Sequence, residues 1–367
     1  MVCDDVSGAS LQKEQTMYCG AIRIKLCAGA AFIFAGCGGR VDRARYEGLT
    51  FSPDGKEILA VHSRAGSAFI YKIPLDTGRA VRFTSATKAF EGCPAFSTDG
   101  GRVVYTESPV EKGAHSRIVV ANRDGSDPHQ VMSLDHGAWP LLSLDRKALI
   151  FARYGYFGNY YGFAQPHAHE WDFYASDLDG TNVRQLTNEN IYSVSRPSLS
   201  PDGKDLVFIG PELDSSQRHE IELRYKNAPT DFAAHASELN ADAITIYSLE
   251  QPPKPRRVFK PHVKGEPRNG PIFGDPVFLP DGENILFLAV SGEPFDYDVF
   301  RMNLQTQEIV KLTNRNGYAY GLQVSPNGKA AAFVRQEWRD GQPGASAIFL
   351  LDLGSAAVTP FRITGLE

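Results

Sequence analysis

Cysteine is nearly missing from the body of this 367-residue chain. Cys3, Cys19, Cys27 and Cys37 fall in the first 37 residues and only Cys93 lies beyond them, so no internal disulfide framework holds the fold. The apolar run Leu26 to Ala35 is too short to span a bilayer. Neither sign of charge dominates. The net charge of −5 is mixed along the chain, which excludes the basic stripe of a nucleic-acid binder. There is no Gly-rich phosphate loop and no Gly-x-Ser-x-Gly elbow. What the chain does have is enough apolar material, 42% hydrophobic and 11% aromatic, to bury a core and argue against disorder. Its 34 Gly and 23 Pro suit many short strands joined by turns. The length calls for several domains or one large repeat architecture.

The first forty residues read as a leader. Arg23 and Lys25 make a positive segment, Leu26 to Ala35 an apolar one, and Ala35-Gly36 supply small residues before Cys37. This is the pattern of a secretory signal peptide. Residues 1–16 are polar and precede it, which makes Met17 the expected start. The stretch Phe-Ala-Gly-Cys, 34–37, resembles the bacterial lipoprotein box. That resemblance implies cleavage before Cys37, lipidation of its sulfur, and a periplasmic or cell-envelope location with membrane contact through the anchor only. Simple secretion with cleavage nearby and a buried strand are the other readings.

Six copies of one unit follow. FSPDGKEILA begins at Phe51, FSTDGGRVVY at Phe96, LSLDRKALIF at Leu142, LSPDGKDLVF at Leu199, FLPDGENILF at Phe278 and VSPNGKAAAF at Val324. Successive offsets of 45, 46, 57, 79 and 46 residues give a period near 46, lengthened twice by insertion. In each copy an apolar residue ends one strand and a Pro-Asp-Gly-type turn leads into a second strand. The Asp carboxylate can accept backbone N–H bonds, and Gly supplies a left-handed residue. Asp54, Asp99, Asp145, Asp202 and Asp281, with Asn327 in the sixth copy, therefore read as architecture. Behind every turn come two more strands, such as residues 173–187 and 299–313. Four antiparallel strands repeated six times predict an all-β, six-bladed β-propeller over residues 41–367, after the leader at 1–40. The last blade owns its four strands, so no strand exchange is expected at closure.

The residues SPDGK followed by FYASDLDGTNVRQLT resemble the TolB-type propeller repeat, a relative of the WD repeat. The resemblance covers about residues 44–363 and implies fold far more than function. TolB itself has an α/β domain ahead of its propeller. Only a few residues separate Cys37 from the first blade here, so the expectation is a TolB-like propeller.

Added length falls mainly between the second and third strands of a blade: Tyr154–Asp172, Gly210–Asp242, Ser291–Asp296 and Gln336–Ser346. Within the second of these, DFAAHASELNADA could form a short helix started by Asp231. All four project from the face opposite the Pro-Asp-Gly turns, and loops on a rigid scaffold commonly carry binding. Tyr156, Tyr160, Tyr161, His167, His169, Trp171 and Trp338 lie there as candidate contacts, since aromatic rings bury area at low entropy cost. Cys93, Trp139, Arg196 and Asp275 each stand four residues before the second turn residue, a position that approaches the axial mouth. Of these, Trp139, Arg196 and Asp275 are candidate contacts, with Arg196 and Asp275 expected to pair as ions.

His167 and His169, in FAQPHAHEWDF, would point the same way on an extended segment and Glu170 the other way. Two imidazoles make a poor zinc site, so they read as structural or ligand-contacting, with no metal and no cofactor. The expected function is a protein- or glycan-binding scaffold of the envelope whose partner is a protein, a peptide or a glycan. An oligogalacturonate lyase is a related propeller enzyme with a metal and histidine ligands. Resemblance of QPHAH to such ligands implies the alternative of a metal-dependent carbohydrate lyase or hydrolase. A structural subunit of an envelope assembly is the third reading.

Overall fold

A strand that is apolar on both faces must be covered on both, and the repeated strand–turn–strand unit meets this demand by stacking sheets on one another. The computed structural model describes residues 44–366 apart from 65, 87–88, 110–115, 135–136, 146, 159–166, 192–193, 212–219, 221–241, 251–256, 263–272, 292–295, 315–316 and 340–341. The leader with Cys37 and the segment begun by Asp231 lie outside the described residues.

The described residues form 24 strands. The first meander holds β1 (Arg45–Phe51), β2 (Glu57–Arg64), β3 (Ser67–Pro74) and β4 (Val81–Arg82). The second holds β5 (Ala89–Phe96), β6 (Arg102–Pro109), β7 (Arg117–Asn122) and β8 (His129–Ser133). One parallel pair, Ala68 with Phe90, joins these two into an eight-stranded sheet. Four sheets of four consecutive strands follow. They are β9 (Gly137–Leu142) to β12 (Arg184–Gln185) through β10 (Ala148–Gly158) and β11 (His167–Asp177), then β13 (Ser198–Leu199), β14 (Asp205–Pro211), β15 (Asp242–Ser248) and β16 (Arg257–Phe259). The last two are β17 (Phe273–Phe278), β18 (Asn284–Val290), β19 (Tyr297–Asn303) and β20 (Ile309–Lys311), then β21 (Tyr318–Val324), β22 (Ala330–Arg339), β23 (Gln342–Asp352) and β24 (Val358–Pro360).

The core lies between successive meanders. The aromatic that ends five of the six repeats (Tyr105, Phe151, Phe208, Phe287 and Phe333) is fully buried on the second strand. Phe208 meets Phe173 of the preceding sheet at 5.0 Å. Ala332, Val334 and Ile348 of the last sheet share a cluster with Leu49, Ile58 and Ile73 of the first. Tyr46 N–H also donates to Ser346 Oγ at 2.7 Å, so the first and last meanders pack together. The last meander keeps its own four strands.

The turns behave as their sequence demands, with one addition. Gly203 takes φ 71°, and a Cβ placed on it would stand 2.6 Å from Leu144 Cγ of the preceding turn. Gly203→Val therefore meets both backbone strain and a clash. The addition is the serine ahead of the Asp. Ser52 Oγ donates to Asp54 Oδ1 at 2.7 Å, and Ser97, Ser143 and Ser200 repeat the bond to Asp99, Asp145 and Asp202 at 2.6 Å. The Ser52 hydroxyl, helped by Lys56 N–H and Arg123, holds the Asp54 carboxyl down at about 2. Hydroxyl bonds lower Asp145 and Asp202 in the same way. A carboxyl depressed in the folded state contributes stability above its unfolded pKa and loses it as pH falls through the folded value. Thermal melts should therefore show the midpoint dropping as pH falls from about 4 to about 2. The drop should be shallower in Asp54→Asn, and an identical pH profile in that variant would count against the bond.

Two of the expected loops are strands. β10 and β11 pair from Ala148 with Asp177 out to Gly158 with His167, and β22 and β23 out to Arg339 with Gln342. The inner strand β9 last pairs β10 at Arg153 with Gly137. Past the pair Tyr154 and Trp171, where Ile191 still bridges Trp171, β10 and β11 continue among the described residues as a two-stranded ribbon.

Candidate functional site

The first strand of a meander lies innermost, and in five of the six meanders its ladder is interrupted. Register shifts fall at Tyr46/Gly48 in β1, Gly92/Ala95 in β5, Gly274/Val277 in β17 and Tyr320/Gln323 in β21, and the β9–β10 ladder shifts as well. The position four before the second turn residue sits in these bulges. Cys93, Trp139 and Asp275 have φ of 51°, 56° and 41° there, and Gly321 takes 70°. Left-handed backbone costs a non-glycine residue about 1–2 kcal/mol. A bulge re-aims the side chain it carries, so alternation along the strand no longer tells where these groups point.

Arg196, just ahead of β13, is the crosslink of this region. Its guanidinium donates to Leu49 O of β1 and to Pro94 O of β5, both at 3.0 Å. The expected ion pair with Asp275 is not formed. Gly321 N–H donates to the Asp275 carboxylate at 2.5 Å, because the left-handed bulge at Asp275 presents it to the neighbouring strand. Burial pushes the Asp275 carboxyl up, against that amide bond and the charge of Arg196. Burial also raises the Cys93 thiol, with Arg196 opposing it. Glu47 is raised by burial against a hydrogen bond from Ser63. Asp275 and Cys93 thus both feel the charge of Arg196, while Glu47, whose rise the charge of Arg45 also opposes, acts in turn on Cys93.

A cavity of about 300 Å³ lies in this region. Phe51, Phe96, Leu142, Ser198 and Gln323 line it with Arg196, the one charged residue among the described lining. Pro53, Leu144 and Pro326 place it on the face of the Pro-Asp-Gly turns, opposite the ribbon.

Two of the tryptophans offered as contacts are core residues. Trp139 is 4% exposed and Trp171 5%. Their rings lie 5.1 Å apart, and Tyr154 meets Trp171 at the same distance. Trp171 also exchanges two backbone hydrogen bonds with Ile191, each 2.8 Å. This correction has a physical cause: strand β11 replaces the loop, and its base is covered by β9 and β14. His167 and His169 lie on β11, paired with Gly158 and Tyr156, and Trp338 lies on β22 opposite Pro343. The side chains of Tyr156, His167, His169 and Trp338 are outside the described residues, as are Tyr160 and Tyr161 altogether. Glu170, exposed and at φ 60°, interrupts the alternation of the ribbon. Among the described residues no three His, Cys, Asp or Glu side chains meet as a metal site.

The sequence reading passed over a set of buried acids. Asp172 is 4% exposed and receives Thr187 Oγ1 at 2.6 Å and Glu189 N–H at 2.8 Å. Asp298, fully buried, receives Ser291 Oγ at 2.6 Å, Thr313 Oγ1 at 3.0 Å and Lys311 Nζ at 2.7 Å. In both cases the acid stands fifteen residues before a Leu-Thr pair's threonine, and that spacing is the signal that could have found them.

No family model matches this chain. A TolB homologue of Chlorobium chlorochromatii is 28% identical over 120 residues, which are 33% of this chain and only 26% of the relative. The crystal structure of TolB from Acinetobacter baumannii superposes with a TM-score of 0.52 at 15% identity, covering 96% of this chain and 70% of that one. An oligogalacturonate lyase in complex with manganese gives 0.52 at 14%, covering 86% and 77%. These likenesses show the fold: the chain is a β-propeller, similar in architecture to that of TolB.

Proposed function

We propose that this chain is an exported, six-bladed propeller, anchored through Cys37, that binds a protein or peptide partner in the cell envelope. The closed six-blade count is supported by the turn ring. A Cβ on Gly100 would lie 3.3 Å from Pro53, one on Gly282 4.0 Å from Pro201, one on Gly328 3.3 Å from Pro280, and one on Gly55 3.7 Å from Pro326. With Gly203 against Leu144, five of the six turns stand against the turn before them, the first against the last.

The observation that carries the binding reading is the β10–β11 ribbon. It projects past its inner strand, yet its root is locked by Trp171, Trp139 and Tyr154 in the core. A protrusion held in place before binding loses little freedom on binding. Replacing residues 156–169 by an Asn-Gly turn should leave the melting temperature within a few degrees and abolish capture of the envelope partner held by the parent. Ser198→Trp, which fills the axial cavity, should retain capture. The opposite result would move the binding site to the turn face.

The anchor is tested separately. Cys37→Ser should move the protein from the membrane fraction to the soluble envelope fraction. Retention in the membrane, or an uncleaved cytoplasmic chain, would refute export by this leader.

The metal-dependent lyase remains as the second reading, favoured by His167 and His169 standing two apart on one strand. On the binding reading, purified parent and the His167→Ala, His169→Ala double variant have the same metal content, near zero. Stoichiometric manganese or zinc, lost in the double variant, would replace the scaffold by the enzyme.

A further inference from the structure

A threonine and a buried acid fasten the outer part of a meander. In the third, Phe173 N–H donates to Thr187 Oγ1 at 2.9 Å and that hydroxyl donates to Asp172. In the fifth, Val299 N–H donates to Thr313 Oγ1 at 2.8 Å and that hydroxyl donates to Asp298. The first meander has Thr84 in the threonine's place and Ile70 in the place of Phe173 and Val299. Phe69, however, stands where the acid belongs.

The carboxylate comes instead from the next meander. Glu91 of β5 accepts from Thr84 Oγ1, 2.5 and 2.7 Å from its two oxygens, and from Ile70 N–H at 2.9 Å. It is 2% exposed. A tie that is internal elsewhere thus crosses a joint here, beside the parallel pair that fuses the first two meanders.

Charged groups act on Glu91 from β4 and β6. Glu107 of β6 stands directly opposite it in the strand register and is 8% exposed. Glu107 is held by Arg117 of β7, whose Nε lies 2.9 Å from it. From β4, Arg82 acts on Glu91 by its charge, while its guanidinium covers the Phe69 ring and bonds Ala86 O. Tyr105 of β6, 1% exposed, feels both carboxylates.

We propose that the joint between the first and second meanders is a proton-sensitive clasp built on Glu91. Burial, and then the facing Glu107, push its carboxyl above the ordinary 4.5, against the bonds from Thr84 and Ile70. The closed joint therefore holds more protons than the opened one between the ordinary and the raised value. Closure is favoured below that window and weakens as pH rises through it. A protonated Glu91 still accepts on its carbonyl oxygen, and it no longer repels Glu107. Phe51 of β1 and Phe96 of β5 line the axial cavity on the two sides of this joint, so loosening the clasp widens that mouth.

Amide exchange on the intact protein tests this, expressed as protection factors from pH 5 to pH 8. The Val299 amide, tied within one meander, is the reference. In the parent, Ile70 protection relative to Val299 should fall several-fold as pH rises across the range, the direction that a carboxyl raised in the closed joint dictates. Glu91→Gln keeps an acceptor for Ile70 and a donor for Thr84, so its ratio should stay high and flat. Glu91→Ala should give a low ratio at every pH. A parent ratio that does not change with pH overturns the proposal, and so does a Glu91→Gln ratio that still follows pH. If Glu91→Ala does not fold, the Gln variant decides.

Discussion

Asp298→Ala should destabilise the protein by about 2–4 kcal/mol, the cost of leaving two buried hydroxyls without the acceptor that holds them. The carboxylate has no solvent exposure and serves three donors, Ser291, Thr313 and Lys311. Removing it leaves two hydroxyls without their acceptor and a space where a carboxylate stood. Lys311 is 38% exposed, so its ammonium can turn to water, and the larger loss falls on Thr313. That threonine also receives Val299 N–H, which links the acid to the backbone of β19. Asp298→Asn keeps the volume and one acceptor and should cost about 1–2 kcal/mol. Thermal unfolding should show a fall of about 10 °C for the alanine variant. A loss under about 1 kcal/mol, within the range of ordinary surface changes, would mean that the network is ornamental.

This acid belongs to the part of the molecule that could have been read in advance. The fold was legible because one turn is written six times, and its Gly, Asp and flanking apolar residues do in the structure what their chemistry requires. Gly55, Gly100, Gly203, Gly282 and Gly328 all have φ between 67° and 71°. The site was less legible, for two physical reasons. Arg196 and Asp275 occupy equivalent positions, but the bulge at Asp275 breaks the two-residue alternation on which a pairing argument depends. The HAHEWDF stretch has no run of alternating polarity, since Asp172 and Trp171 are both buried. Its strand character appears only when residues 148–158 are laid against it. Glu91 was harder still, because the residue it completes lies on another meander, and no local pattern joins position 91 to positions 70 and 84.

The other large effect concerns closure of the ring. After β24 the chain crosses to the outer edge of the first meander. Thr364 bonds there in both directions, accepting from Ala80 N–H at 2.8 Å and donating to Gly78 O at 3.0 Å. Ile363 and Leu366 pack half-buried against the cluster of the first and last sheets. Gly78 permits this approach. It has φ 63°, and a Cβ on it would lie 2.2 Å from Arg362 O, a clash that no small shift relieves. Ending the chain after Phe361 removes two half-buried aliphatic side chains, about 1 kcal/mol each, and two backbone bonds of about 1 kcal/mol each. The expected loss is about 4 kcal/mol. Gly78→Val should cost about as much by a different route, since it expels the same segment and adds backbone strain. Because both changes break one joint, their effects should not add. The double variant should unfold within about 1 kcal/mol of the worse single variant in urea. Full additivity would show that the 362–366 segment and Gly78 act independently, and the closure would then have to be held by the sheet contacts alone.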